Sequence, residues 1–309
     1  MSDVTIRGLH IRYGKTEAVR GLDLDIPAGA IVGFIGPNGA GKTSTIKCMA
    51  TLVKPFAGSV RVGGHDVAQD PAAVRRVIGY VPDSFGVYDD LTVREYLHFF
   101  AAAQGIPGSR RLRLVDDVLA LTDLAAKIDA PVEGLSRGMK QRLSISRVLL
   151  HDPALLLLDE PASGLDPHAR IELRELLKEL QRLGKTIVVS SHILHELAQL
   201  CSRIAIIDHG RLVAEGALED IWRTLGLLRL VLVEVANPGE ALTEAARRIP
   251  GVESVEPSHE RLAIRIHEGG VALEDLHAAL VAAGARIRGF QAEAMDMESA
   301  FLALTQGHG

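Results

Sequence analysis

Eight consecutive residues, Gly36-Pro37-Asn38-Gly39-Ala40-Gly41-Lys42-Thr43, constrain what this chain can fold into more than any other stretch. They fit the pattern G-x-x-x-x-G-K-[ST] and follow a continuous apolar run, Ile31-Val32-Gly33-Phe34-Ile35, which reads as a buried strand. The Gly-rich loop and Thr43 to Leu52 read as a turn entering a helix. In that strand-loop-helix setting the glycines let backbone N–H groups close around phosphates. Lys42 would reach the β- and γ-phosphates, and the Thr43 hydroxyl would ligate Mg²⁺. Ser44, the next residue, is counted with the phosphate-binding set. A glycine-rich turn without ligand is the rival reading.

A second signal lies in Leu155-Leu156-Leu157-Leu158-Asp159-Glu160, where a buried strand delivers two carboxylates at its C-terminal end. Open α/β sheets bind ligands at that edge. Asp159 suits Mg²⁺, and Glu160 suits the polarisation of an attacking water, because phosphoanhydride hydrolysis needs positioning and charge stabilisation. Taken alone, such a pair would be a solvated strand terminus; beside the phosphate loop it reads as chemistry.

The rest of the chain fits an α/β plan. Val4 to Tyr13 alternates as a strand, with Leu9, Ile11 and Tyr13 on one side and His10 and Arg12 on the other. Residues 91 to 150 are helical in pattern, with Tyr96, Phe99 and Phe100 as one apolar stripe and Leu114, Val118 and Leu121 as another. Strands Leu155–Leu158 and Thr186–Ser190 flank a charged helix from about Pro167 to Leu183. Past about Arg223 a second pattern begins: strand Leu228–Val235, helix Gly239–Ile249, strands Val252–Glu256 and Arg261–His267, helix Leu273–Ala283, strand Arg286–Gln291. This is a ferredoxin-like βαββαβ order, closed by a helix around Ser299–Leu304. His259 and His267 fall on a turn and a strand end without partners.

Several classes are disfavoured. No apolar stretch approaches the roughly 18–20 residues needed to cross a bilayer, and Asp3 and Arg7 interrupt any apolar core of a secretion signal. The net charge of −5 argues against a nucleic-acid partner, which clustered Lys and Arg would attract. Cys48 and Cys201 show no metal-ligand spacing and read as free, packed thiols.

The constellation that suggests a family is Leu135-Ser136-Arg137-Gly138-Met139-Lys140-Gln141, followed by Asp159-Glu160-Pro161, Ser163-Gly164-Leu165-Asp166 and His192. In these motifs, over roughly residues 4 to 222, the chain resembles the nucleotide-binding subunits of ABC transporters, in the branch with one ATPase domain and a separate, export-type permease. The resemblance implies a P-loop NTPase domain of the ABC ATPase type over residues 1–223, with a helical subdomain at about 91–150. A small α+β ferredoxin-like accessory domain over 224–309 would follow it. Gly36 to Thr43 then form the Walker A loop, Asp159 the Walker B carboxylate and Glu160 the catalytic base. His192 contacts the γ-phosphate. Tyr13 matches the aromatic that stacks on adenine, and a core-facing tyrosine is its alternative.

Ser136 and Gly138 match the signature loop that caps ATP held by the opposite protomer, although Ser136 could equally be a plain helix cap. Asp166 belongs to the loop that communicates across the dimer. The resemblance thus implies a homodimer with ATP and Mg²⁺ between the subunits, held at the inner face of the cell membrane through the permease. A soluble ABC-type ATPase serving a non-transport machine is the alternative. Two departures stand out: Arg137 and Met139 replace the usual signature residues, and Asp83, in Gly79-Tyr80-Val81-Pro82-Asp83, stands where the family carries Gln. A carboxylate there would act as a metal-linked sensor or would be a loop residue outside hydrolysis. The C-terminal unit reads as a dimerisation or stabilising appendage, or as a ligand-sensing module.

Overall fold

The computed structural model describes residues 2–84, 86, 90–217, 220–221, 228–267 and 270–292. Among them the chain divides into two compact units, Met1–Glu215 and Gly216–Gly309. The boundary inferred from the onset of the second hydrophobic pattern, at residue 223, falls outside the described residues.

In the first unit, β1 (Ser2–Tyr13), β2 (Thr16–Pro27), β4 (Ala57–Val62) and β5 (His65–Asp66) form an antiparallel sheet in the order β2-β1-β4-β5. Its buried side carries Val4 and Ile6, then Leu9 and Ile11. Strict alternation cannot bury both pairs, because their positions differ in parity. A register shift between Ile6 and Leu9 resolves this, with Gly8 at φ 52° taking up the extra residue. The pairing with β2 shifts again between Ile11 and Arg12, and Tyr13 beyond it is 47% exposed. That exposure excludes the core-facing alternative for Tyr13, which simple alternation does not reveal.

The central sheet has the order β10-β9-β3-β8-β7-β6. It comprises β10 (Arg211–Ala217), β9 (Arg203–Asp208), β3 (Ile31–Ile35), β8 (Thr186–Ser191), β7 (Leu155–Leu158) and β6 (Ile78–Val81). Strands β9, β3, β8, β7 and β6 run parallel. β3, β7 and β8 are buried along their whole length, as strands covered on both faces must be. Their C-terminal ends therefore open on one edge, and the residues following β3, β7 and β8 meet there.

Helix α1 (Lys42–Met49) follows β3 directly, α2 (Pro71–Val77) precedes β6, and α3 (Val93–Ala103), α4 (Gly108–Leu121) and α5 (Arg137–Leu149) occupy the next stretch. α3 starts at a reciprocal capping box between Thr92 and Glu95, an arrangement in which the cap alone contributes about 1 kcal/mol. Its buried stripe is Val93, Tyr96, Leu97 and Ala101, while Phe99 is 51% exposed. The expected aromatic stripe is thus corrected by the i, i+3, i+4 frame, which leaves Phe99 on the outer side. On α4 the stripe shifts likewise, to Val115, Val118 and Leu119, with Leu114 and Leu121 only half-buried. α6 (Pro167–Arg182) and α7 (Leu194–Ala198) complete this unit. Cys48, on α1, and Cys201 are free and buried; a side chain at Gly33 would come within 3.0 Å of the Cys201 Sγ.

The second unit contains β11 (Leu228–Val235), α8 (Glu240–Arg247), β12 (Val252–Ser258), β13 (Arg261–His267), α9 (Leu273–Ala282) and β14 (Ile287–Ala292). Its sheet has the order β12-β13-β11-β14 with every neighbouring pair antiparallel, the order of a split βαββαβ unit. Val231, Val233, Leu262 and Ile264 meet Leu276 and Leu280 in its core. His267, expected to lack a partner, pairs with Glu253 at 3.0 Å, and His259 occupies the β12–β13 turn at φ 48°. The expected closing helix at Ser299–Leu304 lies outside the described residues.

Candidate nucleotide site

The loop leaving β3 is shaped by close approach. A Cβ on Gly36 would stand 2.1 Å from the Ile207 carbonyl oxygen, so no other residue fits between β3 and β9. Gly41, at φ 109°, lies against the Ala18 carbonyl, and Gly210 lies against the same atom while donating its N–H to Ala40. Gly39, at φ 84°, has open space where a Cβ would stand and needs glycine only for its conformation. The loop is thus clamped between β2 and the β9–β10 turn with its N–H groups at the start of α1, whose dipole favours an anion.

Lys42 is 5% exposed. Its Nζ donates to the carbonyls of Gly36 (2.6 Å) and Pro37 (3.2 Å) and lies 3.5 Å from Glu160 Oε1. Asp159, 2% exposed, follows β7. Its Oδ1 accepts from Thr43 Oγ1 at 3.0 Å and from Ser190 Oγ at 2.8 Å. Burial pushes its carboxyl above the usual aspartate range, the hydrogen bonds from Ser190 and Thr43 pull it back, and the neighbouring Glu160 charge pushes it up again.

Glu160 occupies the left-handed region at φ 47°, a conformation costing about 1–3 kcal/mol that persists where the surroundings over-determine it. Two contacts do so: its N–H donates to Ser190 Oγ at 2.9 Å, and His192 Nδ1 donates to its Oε2 at 3.0 Å. The carboxylate is therefore stretched between Lys42 and His192.

Lys42, Thr43, Asp159 and Glu160 face a cleft of about 670 Å³, which Gly36, Pro37, Ser190 and His192 do not line. Tyr13, Asn38, Gly39, Ala40, Gly41, Lys42, Thr43, Ser44, Asp83, Asp159 and Glu160 all line it, as do Tyr80, Lys47 and His209. Thr43 and Asp159 together offer a hydroxyl and a carboxylate, donors suited to a hard divalent cation. Among the described residues no three His, Cys, Asp or Glu side chains form a cage. A metal held by Thr43 and Asp159 would complete its shell with water or with the oxygens of a phosphate ligand.

Ser136, Gly138 and Asp166 do not line this cleft. Ser136 caps α5, accepting from the Met139 N–H at 3.3 Å, and Asp166 caps α6, accepting from the Ala169 N–H at 3.0 Å. That second bond chiefly holds the Asp166 carboxyl below its ordinary range. Gly138 brings the two helix starts together, since a Cβ there would lie 2.9 Å from Ala169 Cβ. Arg137 lays its guanidinium over Gly164, whose Cβ would fall 2.6 Å from Cζ.

Sequence reasoning missed Ser190, which joins Asp159 to the Glu160 backbone, and Tyr80. The Ser190-Ser191 pair ahead of His192 was visible as a marker, but its bonding depends on β8 lying beside β7.

Comparison with known proteins gives one consistent picture. The profile of the family described as ABC transporter matches residues 19–163. The chain is 33% identical over 297 residues to the linearmycin resistance ATP-binding protein LnrL of Bacillus subtilis (strain 168), covering 95% of each chain. It is 36% identical over 303 residues to the daunorubicin/doxorubicin resistance ATP-binding protein DrrA of Streptomyces peucetius, covering 97% of this chain and 91% of that one. A solved structure of an ATP binding subunit of an ABC transporter superposes with a TM-score of 0.65 at 32% identity, covering 72% of this chain and 93% of that one.

Proposed function

This chain belongs to the ABC transporter family as an ATP-hydrolysing, energising ATP-binding subunit, and from that premise we propose how its residues divide the work and with what they assemble. ATP occupies the cleft, with the loop N–H groups and Lys42 on its phosphates and Tyr13 against its base. Thr43 and Asp159 would hold Mg²⁺, with Asp83, which lines the same cleft, as its sensor. When bound, the metal neutralises phosphate charge and orients the β- and γ-oxygens. Glu160 accepts a proton from the attacking water, and His192 holds that carboxylate while contacting the γ-phosphate.

The observation that carries this reading is the Lys42–Glu160–His192 chain beside the Thr43–Asp159–Ser190 cluster, which sets a base and a metal-binding carboxylate side by side. Ser136, Gly138 and Asp166 lie outside the cleft, which favours their completing the site of a second copy. The unit then works as a homodimer around ATP, closing on binding and opening after hydrolysis. No described helix is long and apolar enough to cross a membrane. A separate permease would therefore supply the pathway and hold the subunit at the inner membrane face. The antibiotic-resistance names of the relatives favour export.

The test is Glu160→Gln in saturating ATP and Mg²⁺. Hydrolysis falls by about 10²–10⁴-fold, the usual contribution of a general base, while light scattering reports a dimer. A variant that binds ATP and stays monomeric overturns the dimer reading. Recovery of the native subunit with ribosomal or assembly factors, and without a polytopic membrane protein, overturns the transport reading.

A further inference from the structure

Tyr80 stands on β6, opposite Leu157 of β7 and three residues before Asp83. Its ring packs against the main core of the first unit, yet the residue also lines the nucleotide cleft. The hydroxyl is buried and meets no hydrogen-bonding partner among the described residues. A buried hydroxyl left unpaired costs about 1–3 kcal/mol, and a phenylalanine would supply the same packing without that cost. The orphan atom needs a reason that packing does not provide.

The charges around it narrow the choice. Burial first, then the carboxylates of Asp159 and Asp83, push the phenol up to about 12, so it keeps its proton throughout the working range and acts as a donor. Those two carboxylates belong to the part of the cleft proposed for Mg²⁺ and the γ-phosphate. We propose that Tyr80 is a nucleotide-state residue, donating its hydroxyl proton to an oxygen that arrives only with the γ-phosphate and its metal. The proposal rests on the reading of the cleft as an ATP site and adds a contact that distinguishes ATP from ADP. The phenol is held unpaired until that oxygen arrives, so the same hydroxyl lowers apo stability and raises ATP affinity.

Tyr80→Phe tests this, made in a Glu160→Gln background to prevent hydrolysis. Calorimetric titration with ATP and Mg²⁺ should show roughly 10- to 150-fold weaker binding than the parent, the loss of one hydrogen bond to a charged acceptor. ADP with Mg²⁺ should bind within twofold of the parent. Without nucleotide the variant should melt at or above the parent temperature. Repeating the ATP titration in EDTA separates two sources of the oxygen. A loss that persists assigns it to the phosphate, and one that disappears assigns it to metal-bound water. Unchanged ATP affinity, an equal loss for ADP, or a lower melting temperature overturns the inference. A parent that binds no ATP brings down the reading of the cleft itself.

Discussion

Replacing Ser190 by alanine removes one oxygen and cuts two bonds at the centre of the site. Ser190 is fully buried at the end of β8, donating to Asp159 Oδ1 at 2.8 Å and accepting from the Glu160 N–H at 2.9 Å. A hydrogen bond to a buried carboxylate contributes about 1.5–3 kcal/mol, and an unpaired buried N–H costs a similar amount. Asp159 keeps its bond from Thr43, so we expect a net loss of about 3 kcal/mol. For a unit of this size that lowers the melting temperature by roughly 6–12 °C. The Ser190 bond is also the leading influence that lowers the Asp159 carboxyl against burial. Without it Asp159 protonates at higher pH, and the acid limb of the kcat profile moves upward. Ser191→Ala is the control: it removes a neighbouring buried hydroxyl bonded to Ile193 and Glu196, outside the Asp159 cluster, and should leave that limb in place. Calorimetry and a pH–rate series on both variants decide the matter. If Ser190→Ala loses less than about 1 kcal/mol and its acid limb coincides with wild type, the bridging role assigned to Ser190 is wrong.

Two further substitutions test the same wiring. Asp159 has a folded-state value above its ordinary one, so the folded chain binds that proton more tightly and loses stability as pH rises from about 3.9 through the raised value. Asp159→Asn should therefore flatten this part of the stability profile and raise the melting temperature of the nucleotide-free protein at neutral pH, while Mg²⁺ ceases to strengthen ATP binding. At Gly36 an alanine Cβ would meet the Ile207 carbonyl at 2.1 Å, and we expect more than about 3 kcal/mol of destabilisation with loss of ATP binding. Gly39→Ala has open space and only a left-handed backbone to oppose it, which costs about 1–2 kcal/mol; unfolding midpoints of the pair in urea separate collision from conformation.

What could be read in advance follows the range of the interaction. The phosphate loop was legible because its strand, glycines and helix start are contiguous, and Asp159-Glu160 because a fully apolar strand precedes it. The strands of the second unit were legible too, since alternation carries their pattern within each segment. Tyr13 was ambiguous because alternation from Leu9 and Ile11 points it inward, whereas the β1–β2 pairing shifts register between Ile11 and Arg12 and leaves Tyr13 exposed. Phe99 was misassigned because aromatic content outweighed the helical frame. Ser190 was out of reach because Leu158 pairs with Val189 only once β7 and β8 are side by side, which places Asp159 next to Ser190. The Tyr80 hydroxyl was invisible for the opposite reason: a tyrosine in a buried strand reads as packing, and its missing acceptor emerges only when every neighbour is in place.

The two cysteines give the molecule a practical property. Burial pushes the Cys48 thiol up to about 12 and raises Cys201 as well. Maleimides and disulfide reagents attack the thiolate, and near neutral pH a thiol raised that far by burial is almost entirely protonated. With no other cysteine in the chain, the native protein is close to inert toward such probes without mutation of either thiol. A cysteine placed at an exposed residue beside the Ser136 loop, such as Glu133, would then be the fast-labelling site. A spin label or fluorophore there would report the approach of two copies on ATP addition, with both original thiols still in their packed positions.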